Sequence, residues 1–160
     1  MSWQPSNAPS SRNTSAMTKA MEVLGNEGLM FKGTKAFSSF SVDDMKKAKA
    51  FYAETLGLDV NEVPEGLELH LAGGGVPVFI YHSTDYHAPE HTVLNFMVDD
   101  VDEAVDKLEM RGVRMEHYDL PDMKTDAKGI FRNDNGGMGP KAIAWFKDPA
   151  GHILSVLQEK

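Results

Sequence analysis

The sequence predicts an α+β fold in which two tandem βαβββ modules curl a mixed sheet around a cavity. Three observations predict it. First, Phe37-Ser-Ser-Phe-Ser-Val-Asp-Asp-Met-Lys-Lys-Ala48 is echoed by Val93-Leu-Asn-Phe-Met-Val-Asp-Asp-Val-Asp-Glu-Ala104, with Val42, Asp44 and Ala48 returning 56 residues later as Val98, Asp100 and Ala104. An internal repeat of this kind sets the architecture before any single motif does. Second, each copy changes from strand-like alternation to helical periodicity at its Asp pair. Third, short apolar runs separated by glycine and proline turns follow the first copy, and the plan returns after the second.

The elements follow in order. Phe37, Ser39 and Ser41 alternate with Phe40 and Val42, so the first copy opens as a strand. Asp44 starts a helix that carries Met45, Ala48, Tyr52 and Leu56 to Gly57, a residue suited to the left-handed position that closes a helix. Leu58 to Val63, Leu67 to Ala72 and Val76 to His82 then read as a meander, turning at Pro64-Glu-Gly66 and Gly73-Gly-Gly75. In the second copy Val93, Asn95 and Met97 alternate with Leu94, Phe96 and Val98. Asp100 stands three residues before Glu103, the spacing of a capping box, and Val101, Ala104, Val105 and Leu108 share one helical face up to Gly112. Val113 to Tyr118 reads as a strand and Tyr118 to Pro140 as a long polar loop of the kind that serves as a lid, with Phe131 or Arg132 able to close over a ligand. Ala142 to Lys147 and Ile153 to Gln158 flank the turn Asp148-Pro-Ala-Gly151. The modules therefore span 35–83 and 91–160 of one domain, 35–160. Residues 1–34 read as an N-terminal arm, whose stretch Met21 to Phe31 has enough apolar residues for a short helix and which lacks the continuous apolar run of a signal peptide or membrane span.

Three segments carry a likeness to a known family: Val42-Asp-Asp-Met-Lys-Lys-Ala-Lys-Ala-Phe-Tyr52 running into Leu56-Gly57, Val98-Asp-Asp-Val-Asp-Glu-Ala104, and Trp145-Phe-Lys-Asp-Pro-Ala-Gly-His-Ile-Leu154. Over about residues 35 to 158 the chain resembles the vicinal oxygen chelate superfamily, which includes glyoxalase I, extradiol dioxygenases and the bleomycin- and fosfomycin-resistance proteins. The resemblance implies two modules around a shared cavity, often completed by a second subunit, hence a homodimer.

Composition bounds the function. A chain of 160 residues with 41% hydrophobic content can bury one domain-sized core. Its net charge of −8 disfavours nucleic acid and anionic membrane surfaces, which attract basic patches. The absence of cysteine excludes disulfides, thiolate nucleophiles and cysteine zinc sites, and fits a reducing cytoplasm.

In metal-dependent members of the family, His, Glu or Gln ligands converge from the first and last strands of each module. The matching positions here are Phe37, Tyr81, Val93 and Ser155. Phenylalanine and valine offer no lone pair, and hydroxyls ionise too reluctantly to hold a divalent ion at neutral pH. No metal ligand and no cofactor is therefore expected, and the reading is a metal-independent small-molecule binder of sequestering or resistance type. Residues two apart on a strand share a face, so the expected ligand-binding set is Phe37, Ser39, Phe79, Tyr81, Val93, Asn95, Met97 and Ser155, with Trp145 as an aromatic wall; Ser41, Ile153 and Leu157 share those faces. The alternative is a lyase, isomerase or dioxygenase-like enzyme, with or without a relocated metal, using Glu116, His70 or Tyr81 as acid and base. His82, His87 and His91 lie close together in the joining segment, but Pro89 interrupts their one helical pairing, so they read as linking residues.

Overall fold

A computed structural model describes residues 33–133 and 139–159. Most of the expected N-terminal arm, and residues 134–138 of the glycine-rich turn before Pro140, lie outside the described residues. The chain divides into two units, Met1–Ala36 and Phe37–Lys160; the second contains every element described below.

The first module runs β1 (Ser39–Val42), α1 (Met45–Lys49), a π-helical turn (Ala50–Thr55), β2 (Asp59–Val63), β3 (Gly66–His70) and β4 (Val78–His82). The second runs β5 (Thr92–Met97), α2 (Val101–Met110), the short hairpin strands β6 (Asp119–Leu120) and β7 (Met123–Lys124), then β8 (Ile130–Arg132), β9 (Ala142–Lys147) and β10 (Ile153–Gln158). Two mixed four-stranded sheets result, β1-β4-β3-β2 and β5-β10-β9-β8, and in each the module's first strand lies parallel to its last.

The caps form as the sequence dictates. Asp44 accepts hydrogen bonds from the backbone N–H groups of Lys46 and Lys47, and Asp100 accepts one from Glu103 at 3.0 Å. Gly57 and Gly112 close the two helical segments at φ of 73° and 80°, where a Cβ would be strained.

Alternation sorts the side chains. Val42, Leu67, Leu69 and Ile80 of the first sheet, and Ala144, Phe146, Leu154 and Val156 of the second, are buried beside Tyr52, Val101 and Val105 of the helical segments. Each fully buried aliphatic side chain of this kind contributes about 1.5–3 kcal/mol. Among the described residues, the helical segments pack on this buried side of the sheets.

Two expectations need correction. The helix expected from Asp44 to Gly57 is α-helical for five residues only and then widens, so that Leu56 N–H reaches Phe51 O and Leu58 N–H reaches Tyr52 O. Val113 to Tyr118 is not a strand. A single bridge joins Met115 to Phe146, while β8, from within the expected loop, pairs with Ala142, Ile143 and Ala144. One edge position is thus shared by two segments, each too short to show period-two alternation. Described parts of the loop are pinned: the Thr125 hydroxyl accepts from the Tyr118 N–H and donates to the Tyr118 carbonyl, and Arg132 forms a two-pronged pair with Asp102 of α2.

Candidate functional site

Three surfaces carry the candidate residues. The first is the face of the β1-β4-β3-β2 sheet that lies opposite its buried core side. The pairings Ser39 with Phe79, Ser41 with Tyr81 and Glu68 with Phe79 place these side chains together, opposite the buried Leu67, Leu69 and Ile80. Phe79 stacks on Tyr81 with ring centroids 6.3 Å apart and planes at 17°, and meets Phe37 edge-on at 6.4 Å. Such offset and T-shaped geometries are the favoured ones for aromatic pairs. Phe37 and Tyr81 are exposed.

The second surface is the corresponding face of the other sheet. Ser155 pairs with Asn95 and with Trp145 in the strand register, and its hydroxyl donates to Asn95 Oδ1 at 2.6 Å. Met97 projects freely at 74% exposure. Trp145 packs edge-on against Tyr118 at 5.4 Å, and the neighbouring Lys147 holds Glu116 at 3.0 Å. Burial, then the charge of Glu116, raises the Tyr118 phenol above its ordinary range.

The third is a cleft of about 530 Å³ between the edge strands β1 and β5. Ser39, Ser41, Tyr81 and Val93 line it, and so do His87 and His91, which the sequence assigned only a linking role. Its volume suits a small molecule.

Behind this cleft lies a buried polar network that sequence reasoning missed. Tyr52 donates to Asp148 Oδ2 at 2.8 Å, and the same oxygen stands 2.9 Å from His152 Nδ1. Asp148 Oδ1 accepts the backbone N–H groups of Ala150 and His152. Tyr86 donates to the Ala150 carbonyl, and the Phe40 ring lies 4.6 Å from His152. The network joins both modules. Burial, then the Asp148 charge and hydrogen bond, drives the Tyr52 phenol far above its usual range, and burial with Asp148 and Asp43 pushes Tyr86 up to about 12. The available signal was the histidine directly after the Asp-Pro-Ala-Gly turn.

The expected ligand-binding residues are thus divided. Ser39, Tyr81 and Val93 reach the cleft, Phe37 and Phe79 stand on the first sheet face, and Asn95, Met97, Trp145 and Ser155 on the second. His70 and Glu116 are not brought together. His70 bonds Asn61 at 3.0 Å and faces Glu68 at 3.6 Å in one sheet, while Glu116 is committed to Lys147 beside the other.

The four positions that the resemblance leads one to expect as metal-ligand positions do not fit a divalent ion. Phe37 and Val93 carry no donor, Tyr81 is stacked, and the Ser155 hydroxyl is taken by Asn95. Among the described residues no three His, Asp or Glu side chains are placed to share an ion.

A model of the Glyoxalase/Bleomycin resistance protein/Dioxygenase superfamily matches residues 37–156. No curated protein sequence matches the chain. Among solved structures, TnmS3, an antibiotic binding protein from Streptomyces sp. CB03234, is 24% identical with a TM-score of 0.52, covering 80% of this chain and 98% of that one. A glyoxalase family protein from Enterococcus faecalis is 21% identical at a TM-score of 0.55, covering 79% and 98%. Lactoylglutathione lyase from Agrobacterium tumefaciens is 20% identical at 0.53, covering 78% and 93%. At these identities the likeness establishes a common fold and is silent on ligand and activity. Among the described residues, no helix is long and apolar enough to cross a membrane.

Proposed function

This chain belongs to the Glyoxalase/Bleomycin resistance protein/Dioxygenase superfamily, and we propose that it acts there as a metal-independent small-molecule binder of sequestering type. One observation carries the reading. The corners where the family's enzymes gather metal ligands hold two hydrocarbon side chains, a stacked phenol and a committed hydroxyl, yet the surfaces around them keep the make-up of a ligand site. Apolar and aromatic walls supply burial, and a few hydroxyl, amide and imidazole groups supply orientation. The antibiotic-binding role of the Streptomyces neighbour is consistent with it. A second copy of the chain, covering the exposed Met97 of the second sheet, completes the proposal as a homodimer in a reducing cytoplasm.

Native mass spectrometry of freshly purified protein, before and after titration with nickel, zinc and manganese, reads metal content and subunit number together. A thermal-shift screen against metabolites and antibiotics then seeks the ligand. A compound at a hundred times its Kd adds about 2.7 kcal/mol to stability, a shift expected to vanish in Tyr81→Ala. One tightly held metal equivalent per chain would overturn the reading.

A further inference from the structure

The open face of the first sheet has a charge character that the second lacks. The strands β1, β2, β3 and β4 contain no lysine or arginine. The strand register sets Glu68 directly beside Phe79, on the face where Phe79 stacks on Tyr81 and meets Phe37. Directly opposed side chains in an antiparallel pair lie about 5 Å apart at Cβ, within reach of one bound group. Asp59 shares that face through its pairing with His70. Among the described residues, the one basic group within ion-pair distance of the Glu68 carboxylate is the His70 imidazole at 3.6 Å, already hydrogen-bonded to Asn61. On the other sheet, by contrast, Lys147 shares the face that carries Trp145 and is held by Glu116.

Resting on the small-molecule reading above, we propose that the ligand carries an ammonium group, which this face binds through the ring faces of Phe37, Phe79 and Tyr81 with Glu68 as counter-charge. Aromatic faces carry negative quadrupole potential and attract cations, most strongly where several rings converge. An anion would meet the Glu68 carboxylate and find no compensating lysine or arginine on these strands. A neutral ligand would gain only burial. The chain's net charge of −8 draws cations to the surface from beyond contact range. Glu68 and Phe79 therefore decide which ligand is held, and Tyr81 joins this subsite to the cleft at β1 and β5.

Three soluble probes of similar size separate the possibilities: benzyltrimethylammonium, benzyl alcohol and benzoate, each titrated by two-dimensional NMR into the full chain. The expected result is that the cation binds at least about tenfold more tightly than either other probe, with shifts centred on Phe79 and Tyr81. Glu68→Gln and Phe79→Leu should each erode that preference by about threefold or more, and Glu68→Gln should leave benzyl alcohol unaffected. Unchanged melting temperature in Glu68→Gln shows that the fold is intact. Equal binding of the three probes, or a cation preference that survives both substitutions, overturns the ammonium assignment while leaving small-molecule binding in place. Failure of all three to bind overturns both.

Discussion

Replacing Tyr52 by phenylalanine removes one oxygen and nothing else from the junction of the two modules. The Tyr52 hydroxyl donates to Asp148 Oδ2 at 2.8 Å, across 96 residues of sequence, and both side chains are buried. The ring stays, so its contacts with Phe51 at 5.3 Å and Phe40 at 6.1 Å are kept. A hydrogen bond to a charged group contributes about 1.5–3 kcal/mol. Because Oδ2 retains His152 Nδ1 at 2.9 Å, the carboxylate is not orphaned, and the expected loss is about 2 kcal/mol. For a chain of this size that lowers Tm by about 4–8 °C. Urea unfolding followed by circular dichroism measures it from the shift in midpoint at constant slope. Asp148→Ala should cost more, about 3–5 kcal/mol, since it strands the Tyr52 hydroxyl, the imidazole and two turn N–H groups. In that background Tyr52→Phe should be neutral or stabilising. A loss under about 0.5 kcal/mol for Tyr52→Phe alone, or an equal loss in both backgrounds, refutes the claim that this bond clasps the modules.

Two further outcomes follow from the same geometry. The Tyr52 phenol keeps its proton in the folded state beyond the pH, about 10, at which an unfolded tyrosine loses it, so its contribution is whole below that pH and declines above it. Between about pH 10 and 11 stability should fall by about 1 kcal/mol more in the parent than in Tyr52→Phe; parallel curves would contradict this. At Gly66 an added Cβ would overlap the Ile80 carbonyl oxygen and crowd Phe79 Cζ at 3.0 Å. Gly66→Ala must push β3 from β4 and should cost more than about 2 kcal/mol in the same urea assay, whereas Gly73→Ala, with open space around it, should cost little.

The sequence by itself determined whatever depends on near neighbours. The caps at Asp44 and Asp100, the glycine closures at Gly57 and Gly112, and the sorting of Ser39 and Ser41 from Phe40 and Val42 are each settled within about four residues, where hydrogen bonding and alternation act. The duplicated pattern then implied two like modules, and the resemblance to the family, not the pattern, supplied Phe37, Tyr81, Val93 and Ser155 as its expected ligand positions. Tertiary structure decided what depends on distant pairing. Tyr52 read as a helix-face residue and Asp148 as a turn residue, and only the meeting of the modules made them partners. The edge of the second sheet went to Ile130–Arg132 because Ala142 to Ala144 had backbone groups to satisfy, a demand that no local pattern in the loop records. For the same reason His87 and His91 became walls of a cleft: their place depends on β1 and β5 lying across from each other, and sequence spacing carries no measure of that distance.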